Sequence, residues 1–138
     1  MKVLQQRVPN DSKHNEIHPK EWDFNIAAYT GTHDSPTIKQ WLDEVDDIQI
    51  EFFNQYKESS SSLYESDVWN FISLVWESPC QLAITTVQDL LELDKEARFN
   101  SPGTQEGNWK WRIQDLADLK KPLHVLKELN KVNERISD

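Results

Sequence analysis

Three short strand candidates, Lys2–Gln5 and the more apolar Ile26–Thr30 and Leu82–Val87, are separated by segments whose apolar residues recur at helical spacing. That order limits the possible folds more than any other feature. A run that stays apolar on consecutive residues has no polar face, so it reads as a strand covered on both sides, the habit of parallel sheets. Parallel neighbours need a crossover of a dozen or more residues, and helices supply it. The expected class is α/β, made of about three βα units. An eight-stranded barrel takes ~250 residues, so three strands in 138 residues are too few to close one.

The crossovers follow from spacing. A helix is expected from about Thr37 to Val45 and on through Asp46–Lys57, with Ile48, Phe52, Phe53 and Tyr56 at helical intervals. Another covers Leu63–Trp76, with Val68, Trp69, Ile72, Val75 and Trp76 on one side. The last runs from about Pro122 to Ile136, with Leu123, Leu126 and Leu129 on one face. Val8–Asp23 is polar and reads as a long loop, and Ser59–Ser62 is too short a loop to divide domains, so residues 1–138 are expected to form one domain unit.

Chemistry concentrates where the second strand ends. Tyr29-Thr30-Gly31-Thr32-His33-Asp34-Ser35-Pro36-Thr37 places an imidazole and a carboxylate between the C-terminus of a buried strand and the start of a helix. In α/β folds, ligands and catalytic groups gather at that end of the strands. Two roles are open to Asp34 on this pattern alone: polar work on a substrate, or capping of the helix, with Pro36 at its first position.

Composition removes several partners. A net charge of −9 argues against nucleic acid and anionic membrane, which both call for a basic face. No apolar run nears the ~20 residues of a membrane helix, and the mean hydropathy of −0.75 fits a soluble chain. The single cysteine, Cys80, can form no internal disulfide; it reads as a small core hydrophobe and suits a reducing cytoplasm. Most of the six tryptophans are expected in the core. His14, His18 and His124 show no metal-ligand spacing with His33, which leaves a metal-dependent phosphohydrolase without a ligand set. Asp89 and Glu96 read as structural partners of Arg98 or Lys95, and Arg98 and Arg112 as braces of the loop at 99–111. Asp43-Glu44-Val45-Asp46-Asp47 reads as a solvated helix end. Trp109 and Trp111, two apart, are placed to share one strand face, and Ser101-Pro102-Gly103 is a turn.

Three blocks, taken together and in order, resemble one family. They are Met1-Lys2-Val3-Leu4-Gln5, the stretch from Tyr29 to Asp34, and the segment from Gln88-Asp89 through Phe99-Asn100-Ser101-Pro102-Gly103-Thr104 to Asn108-Trp109-Lys110-Trp111-Arg112. They are similar to the C-terminal part of the 4-α-glucanotransferases, the amylomaltase or disproportionating-enzyme family. The resemblance implies a (β/α)8 TIM barrel of which this chain is the C-terminal portion, about three βα units, and hence a partial domain. It implies retaining transfer of α-1,4-glucan segments between maltodextrins, without metal or organic cofactor. Asp34 matches the carboxylate that favours the distorted, oxocarbenium-like sugar; His33 matches a histidine lining the same subsite; Asn100 matches an asparagine on the acceptor side. The family's nucleophile and acid/base lie on earlier strands, so this chain alone is expected to be inactive, with the rest of such an enzyme as its partner. The competing expectation is a non-catalytic glucan-binding or partner-binding remnant. Departures from the family pattern fall at Gln6, where an aromatic is usual, at Ser35-Pro36, and at Glu92 and Asp94, where glycines are usual.

Overall fold

The computed structural model describes residues 1–11, 13 and 17–136. Three parallel strands, β1 (Lys2–Val3), β2 (Ala27–Tyr29) and β3 (Leu82–Ile84), lie in the order β1-β2-β3. The register pairs Lys2 with Ala28 and Val3 with Tyr29, then Ala28 with Ala83 and Tyr29 with Ile84. The chain is thus α/β with a small parallel sheet, as expected, and each strand falls inside its apolar run.

The strands are shorter than the runs for local reasons. At Leu4–Gln6 the chain tightens into a 3-10 turn closed by Arg7 N–H on the Leu4 carbonyl (2.8 Å), and the Gln5 amide turns inward to donate to the Pro36 carbonyl (3.0 Å). After Ile84, Thr86 becomes an N-cap, its hydroxyl accepting from Asp89 N–H at 3.2 Å, and opens α4 (Val87–Leu90).

The first crossover is broken rather than continuous. Thr37 caps α1 (Ile38–Glu44) by accepting from Gln40 N–H (3.2 Å), so Pro36 lies one residue before the cap and not at the first helical position. Asp46 restarts the chain as N-cap of α2 (Asp47–Glu58), accepting from Gln49 N–H at 2.9 Å. The acidic stretch is therefore a solvated helix junction, with Asp43, Glu44, Asp46 and Asp47 exposed.

At the centre is α3 (Asp67–Trp76), which starts later than its apolar spacing suggested and is buried on every side from Val68 to Trp76. A helix apolar all round belongs inside a core. Its two buried polar residues are satisfied: the Asn70 amide clips both backbone groups of Tyr64 (2.7 and 3.0 Å), and the Ser73 hydroxyl donates to the Asn70 carbonyl (2.8 Å). Phe71 meets Trp41 and Phe53 at ring separations of 5.2 and 5.7 Å, tying α1 and α2 to it. Ile48, expected on the inner face of α2, is instead exposed. Trp22, Trp41, Trp69 and Trp76 are buried with Cys80. The last helix, α5 (Lys120–Val132), packs through Val125, Leu126 and Leu129, while Leu123, expected on that face, points to water.

The helical core covers one face of the sheet, around the wholly buried Ala28 and half-buried Ala83. On the other face Leu82 and Ile84 are exposed and Tyr29 is half-buried. Among the described residues no helix is long and apolar enough to cross a membrane.

Candidate functional site at the strand ends

The site grows out of β2. Thr30, fully buried, donates its N–H to the Ile84 carbonyl (3.1 Å) and shares its hydroxyl with Thr85 (3.0 Å) and the Asp89 carboxylate (3.3 Å). Gly31 follows where a Cβ would stand 3.0 Å from the Gln5 amide nitrogen and 3.2 Å from the Ser35 Cβ, so the close approach of the first strand's end to this loop needs glycine. Thr32–Ser35 then forms a tight turn: Ser35 N–H donates to the Thr32 carbonyl (3.1 Å), and the Ser35 hydroxyl accepts from Thr32 N–H (2.9 Å). Ser35, at a departure from the family pattern, thus helps to shape the loop that presents His33 and Asp34.

Asp34 does not cap the helix after it. One carboxylate oxygen is 3.3 Å from His33 Nε2, and the other accepts from Asn100 Nδ2 at 2.6 Å. The three candidate residues therefore form one cluster, although Asn100 comes 66 positions after Asp34. Arg98 braces it from behind: Nη2 donates to the Asp34 carbonyl (3.0 Å) and Nε to the Asn100 carbonyl (3.0 Å). Arg112 braces the same loop through the carbonyls of Trp109 (3.1 Å) and Trp111 (2.7 Å). Both arginines thus act on carbonyl oxygens, as expected of loop braces.

His33 and Asp34 line an open concavity of ≈ 580 Å³, with Gln6 and Thr86 on its rim and Tyr29 and Ile84 on its floor. Its floor is thus the bare face of the sheet. A second hollow of ≈ 540 Å³ is lined by the loop that carries His33 together with Thr86, Gln88, Phe99 and Trp111.

Asp89 plays a part that its spacing to Glu96 did not suggest. It is 2% exposed, and its second oxygen accepts from Ile38 N–H at 2.7 Å, so it ties β2 and α4 to the first turn of α1 rather than pairing with Arg98 or Lys95. Burial pushes its carboxyl above the usual carboxylate range, opposed by the bonds from Ile38, Thr86 and Thr30.

Trp109 and Trp111 do not share a strand face. Trp109 takes a left-handed backbone (φ 62°), with its N–H donating to the Phe99 carbonyl (2.8 Å), and its indole lies 5.2 Å from the His33 ring. No pattern in the sequence marks that contact; Gly107-Asn108 before it signals only a turn. Glu92, where the resembled family has glycine, keeps a glycine-like backbone (φ 53°), and its side chain accepts from the Ser66 hydroxyl. Among the described residues no group of three or more His, Cys, Asp or Glu is placed to hold a metal ion; His14 lies outside them.

With this geometry in hand, the likenesses to known proteins are informative. The model of the glycoside hydrolase 77 family, 4-alpha-glucanotransferase, matches residues 1–119. A 4-alpha-glucanotransferase of Streptococcus pneumoniae serotype 4 is 39% identical over 117 residues, which are 83% of this chain and 22% of that protein. One from Clostridium butyricum is 35% identical over 120 residues, 83% of this chain and 23% of its own length. The structure of an amylomaltase from Streptococcus agalactiae in complex with acarbose is similar with a TM-score of 0.86 and 29% identity, covering 99% of this chain and 27% of that one. The chain thus spans about a quarter of the length of the relatives it matches. The match over most of its residues, with relatives 35% and 39% identical, places it plainly: the chain belongs to the 4-alpha-glucanotransferase family.

Proposed function

We propose that this chain is the C-terminal portion of a 4-α-glucanotransferase barrel, about three βα units of a (β/α)8 fold, and that residues 1–138 form one partial domain of it. Asp34 is the carboxylate that favours the oxocarbenium-like sugar at the cleaved bond, while His33 and Asn100 hold the sugar around it. The substrate class is maltodextrin or another α-1,4-glucan, the work needs no organic cofactor or metal, and the compartment is the cytoplasm. The observation that carries this reading is the His33–Asp34–Asn100 cluster at the C-terminal ends of parallel strands, opening onto a concavity floored by the sheet itself. In a barrel, that end of the strands is where catalytic groups converge.

The division of labour follows from the chemistry. Retention of configuration requires two carboxyl groups ~5–5.5 Å apart, one as nucleophile and one as acid/base. Both Asp34 oxygens are already engaged, one 3.3 Å from His33 Nε2 and the other accepting from Asn100 Nδ2, so the carboxylate is fixed in place rather than free to attack a sugar carbon. A carboxylate held that way is placed to stabilise positive charge on a sugar ring. The nucleophile and the acid/base belong, in this reading, to strands outside these residues, and the chain alone does not turn over.

The test is release of glucose from maltotriose. The purified 138-residue chain should give only background. Adding the remaining barrel segment of a family member should restore transfer, and Asp34→Asn should then lower kcat by about 10²–10³-fold, the scale expected when a preorganised electrostatic group is lost. Turnover by the chain alone that disappears in Asp34→Asn would overturn the assignment. Failure of every added barrel segment to restore transfer would favour the non-catalytic reading.

A further inference from the structure

We propose that Trp109 is a positioning residue: its indole, held by a left-handed backbone, fixes the His33 imidazole against Asp34 and so keeps His33, Asp34 and Asn100 in register. This rests on reading that cluster as a sugar subsite. A bulky residue with a Cβ at φ 62° is a backbone outlier, and such strain persists only where the surroundings over-determine it. Here they do. Trp109 N–H donates to the Phe99 carbonyl (2.8 Å), its own carbonyl accepts from Arg112 (3.1 Å), and Phe99 meets its indole edge-on at 4.6 Å.

Core burial does not account for the indole. Trp109 is 55% exposed, unlike the four tryptophans of the core, so little hydrophobic gain comes from placing a large ring in a strained position. Besides Phe99, the ring touches His33, at 5.2 Å and an angle of 43°. The His33 side chain is itself 56% exposed and would otherwise be free to leave Asp34 for water. The cluster is then held from two sides: Arg98 fixes the backbone carbonyls of Asp34 and Asn100, and Trp109 limits the swing of the imidazole.

The experiment uses the 138-residue chain labelled for NMR, with Trp109→Gly and Trp109→Phe. Glycine adopts a positive φ freely, so Trp109→Gly removes the ring while preserving the turn, and an unchanged Ser101 amide, bonded to Asn108, reports that the loop has kept its shape. In the parent chain the side-chain couplings of His33 should show a single χ1 rotamer, and the Asn100 side-chain amide protons should be protected from solvent exchange by Asp34. Trp109→Gly should average the His33 rotamers and speed Asn100 exchange about tenfold or more, an opening of the kind local fluctuations allow, while Trp109→Phe should restore both. A single His33 rotamer and unchanged Asn100 exchange in Trp109→Gly would overturn the proposal. A parallel titration with maltotriose, run on the parent chain and on Asp34→Asn, separates the two claims. Averaged rotamers in Trp109→Gly with no maltotriose response sustain the positioning role and overturn the sugar-subsite reading. Unaltered rotamers with a response lost in Asp34→Asn do the reverse.

Discussion

At the scale of single residues, Asp89 shows how a buried charge can be structural beside a site that works with charge. Its carboxylate replaces hydration with bonds from Ile38 N–H and Thr30 Oγ1, and burial still dominates, raising its carboxyl above the ordinary 3.8. Because the folded state holds that proton more tightly than the unfolded chain, the group's contribution to stability is complete below the unfolded value and is lost as pH rises through the folded one. Asp89→Asn abolishes that dependence. Its amide can still accept from Ile38 and donate to Thr30, so the variant should fold. The expected result in urea unfolding is that the parent chain gains stability on the variant as pH is lowered from neutral toward the ordinary carboxylate range. A gap that stays constant over that range would show that burial does not govern this carboxyl. Glu92 belongs to the same scale. It occupies a left-handed backbone that glycine would adopt freely and a residue with a Cβ adopts only under local constraint.

At the scale of elements, α5 is fastened to the rest of the chain mainly from its far end. The Arg135 guanidinium donates to the carbonyls of Trp76 (2.7 Å), Cys80 (2.9 Å) and Ser78 (2.6 Å), all at the C-terminal end of α3 and the turn after it. These are carbonyls that a helix end leaves without partners, and a cation there also meets the negative end of the helix dipole. A second tie, from Trp76 Nε1 to the Asn130 side chain at 2.7 Å, fixes the helix along its length. The family match stops at residue 119, just before α5 begins, yet the helix is bonded into the common core. Arg135→Ala should cost about 2–3 kcal/mol, the worth of charge-assisted bonds to partly buried carbonyls, and Arg135→Lys should recover little, since an ammonium cannot span the fork. Thermal unfolding with hydrogen exchange of α5 amides checks both. A loss below about 0.5 kcal/mol, the size usual for a surface substitution, would show that the Leu129 packing suffices.

At the scale of the whole molecule, the notable fact is a parallel sheet with one face uncovered. Parallel sheets are stable with layers on both faces, and here Leu82 and Ile84 are exposed opposite the helices. In the proposed barrel that face looks inward. The chain by itself should therefore self-associate or bind a hydrophobic dye, as exposed apolar patches do. Sedimentation as a function of concentration should show association for the parent chain. A double variant, Leu82→Lys with Ile84→Thr, should remain monomeric with its helical signal unchanged. A parent chain that is monomeric and dye-free at high concentration would count against the inward-facing assignment.

What the sequence determined by itself is whatever depends on neighbours along the chain. The short runs located all three strands, because β-branched and apolar residues in sequence favour parallel pairing. The cover on both sides that they were expected to have is absent on the Leu82 and Ile84 face. His33 and Asp34 had to leave β2 together, since one short turn carries both. The break between α1 and α2 was also local, written in Asp46 as a cap, yet continuous apolar spacing across it hid the signal. Only the tertiary structure brought Asn100 onto Asp34, Asp89 onto Ile38 and Trp109 onto His33. The resemblance to a family had placed Asn100 with His33 and Asp34 at one concavity, and the structure supplied the bond itself. Those meetings depend on the parallel pairing of β2 with β3 and on the shape of the 99–111 loop, which is set by positive-φ residues and single side-chain bonds rather than by a period. Periodicity records which face of an element is buried; it holds no record of which distant loop closes over it.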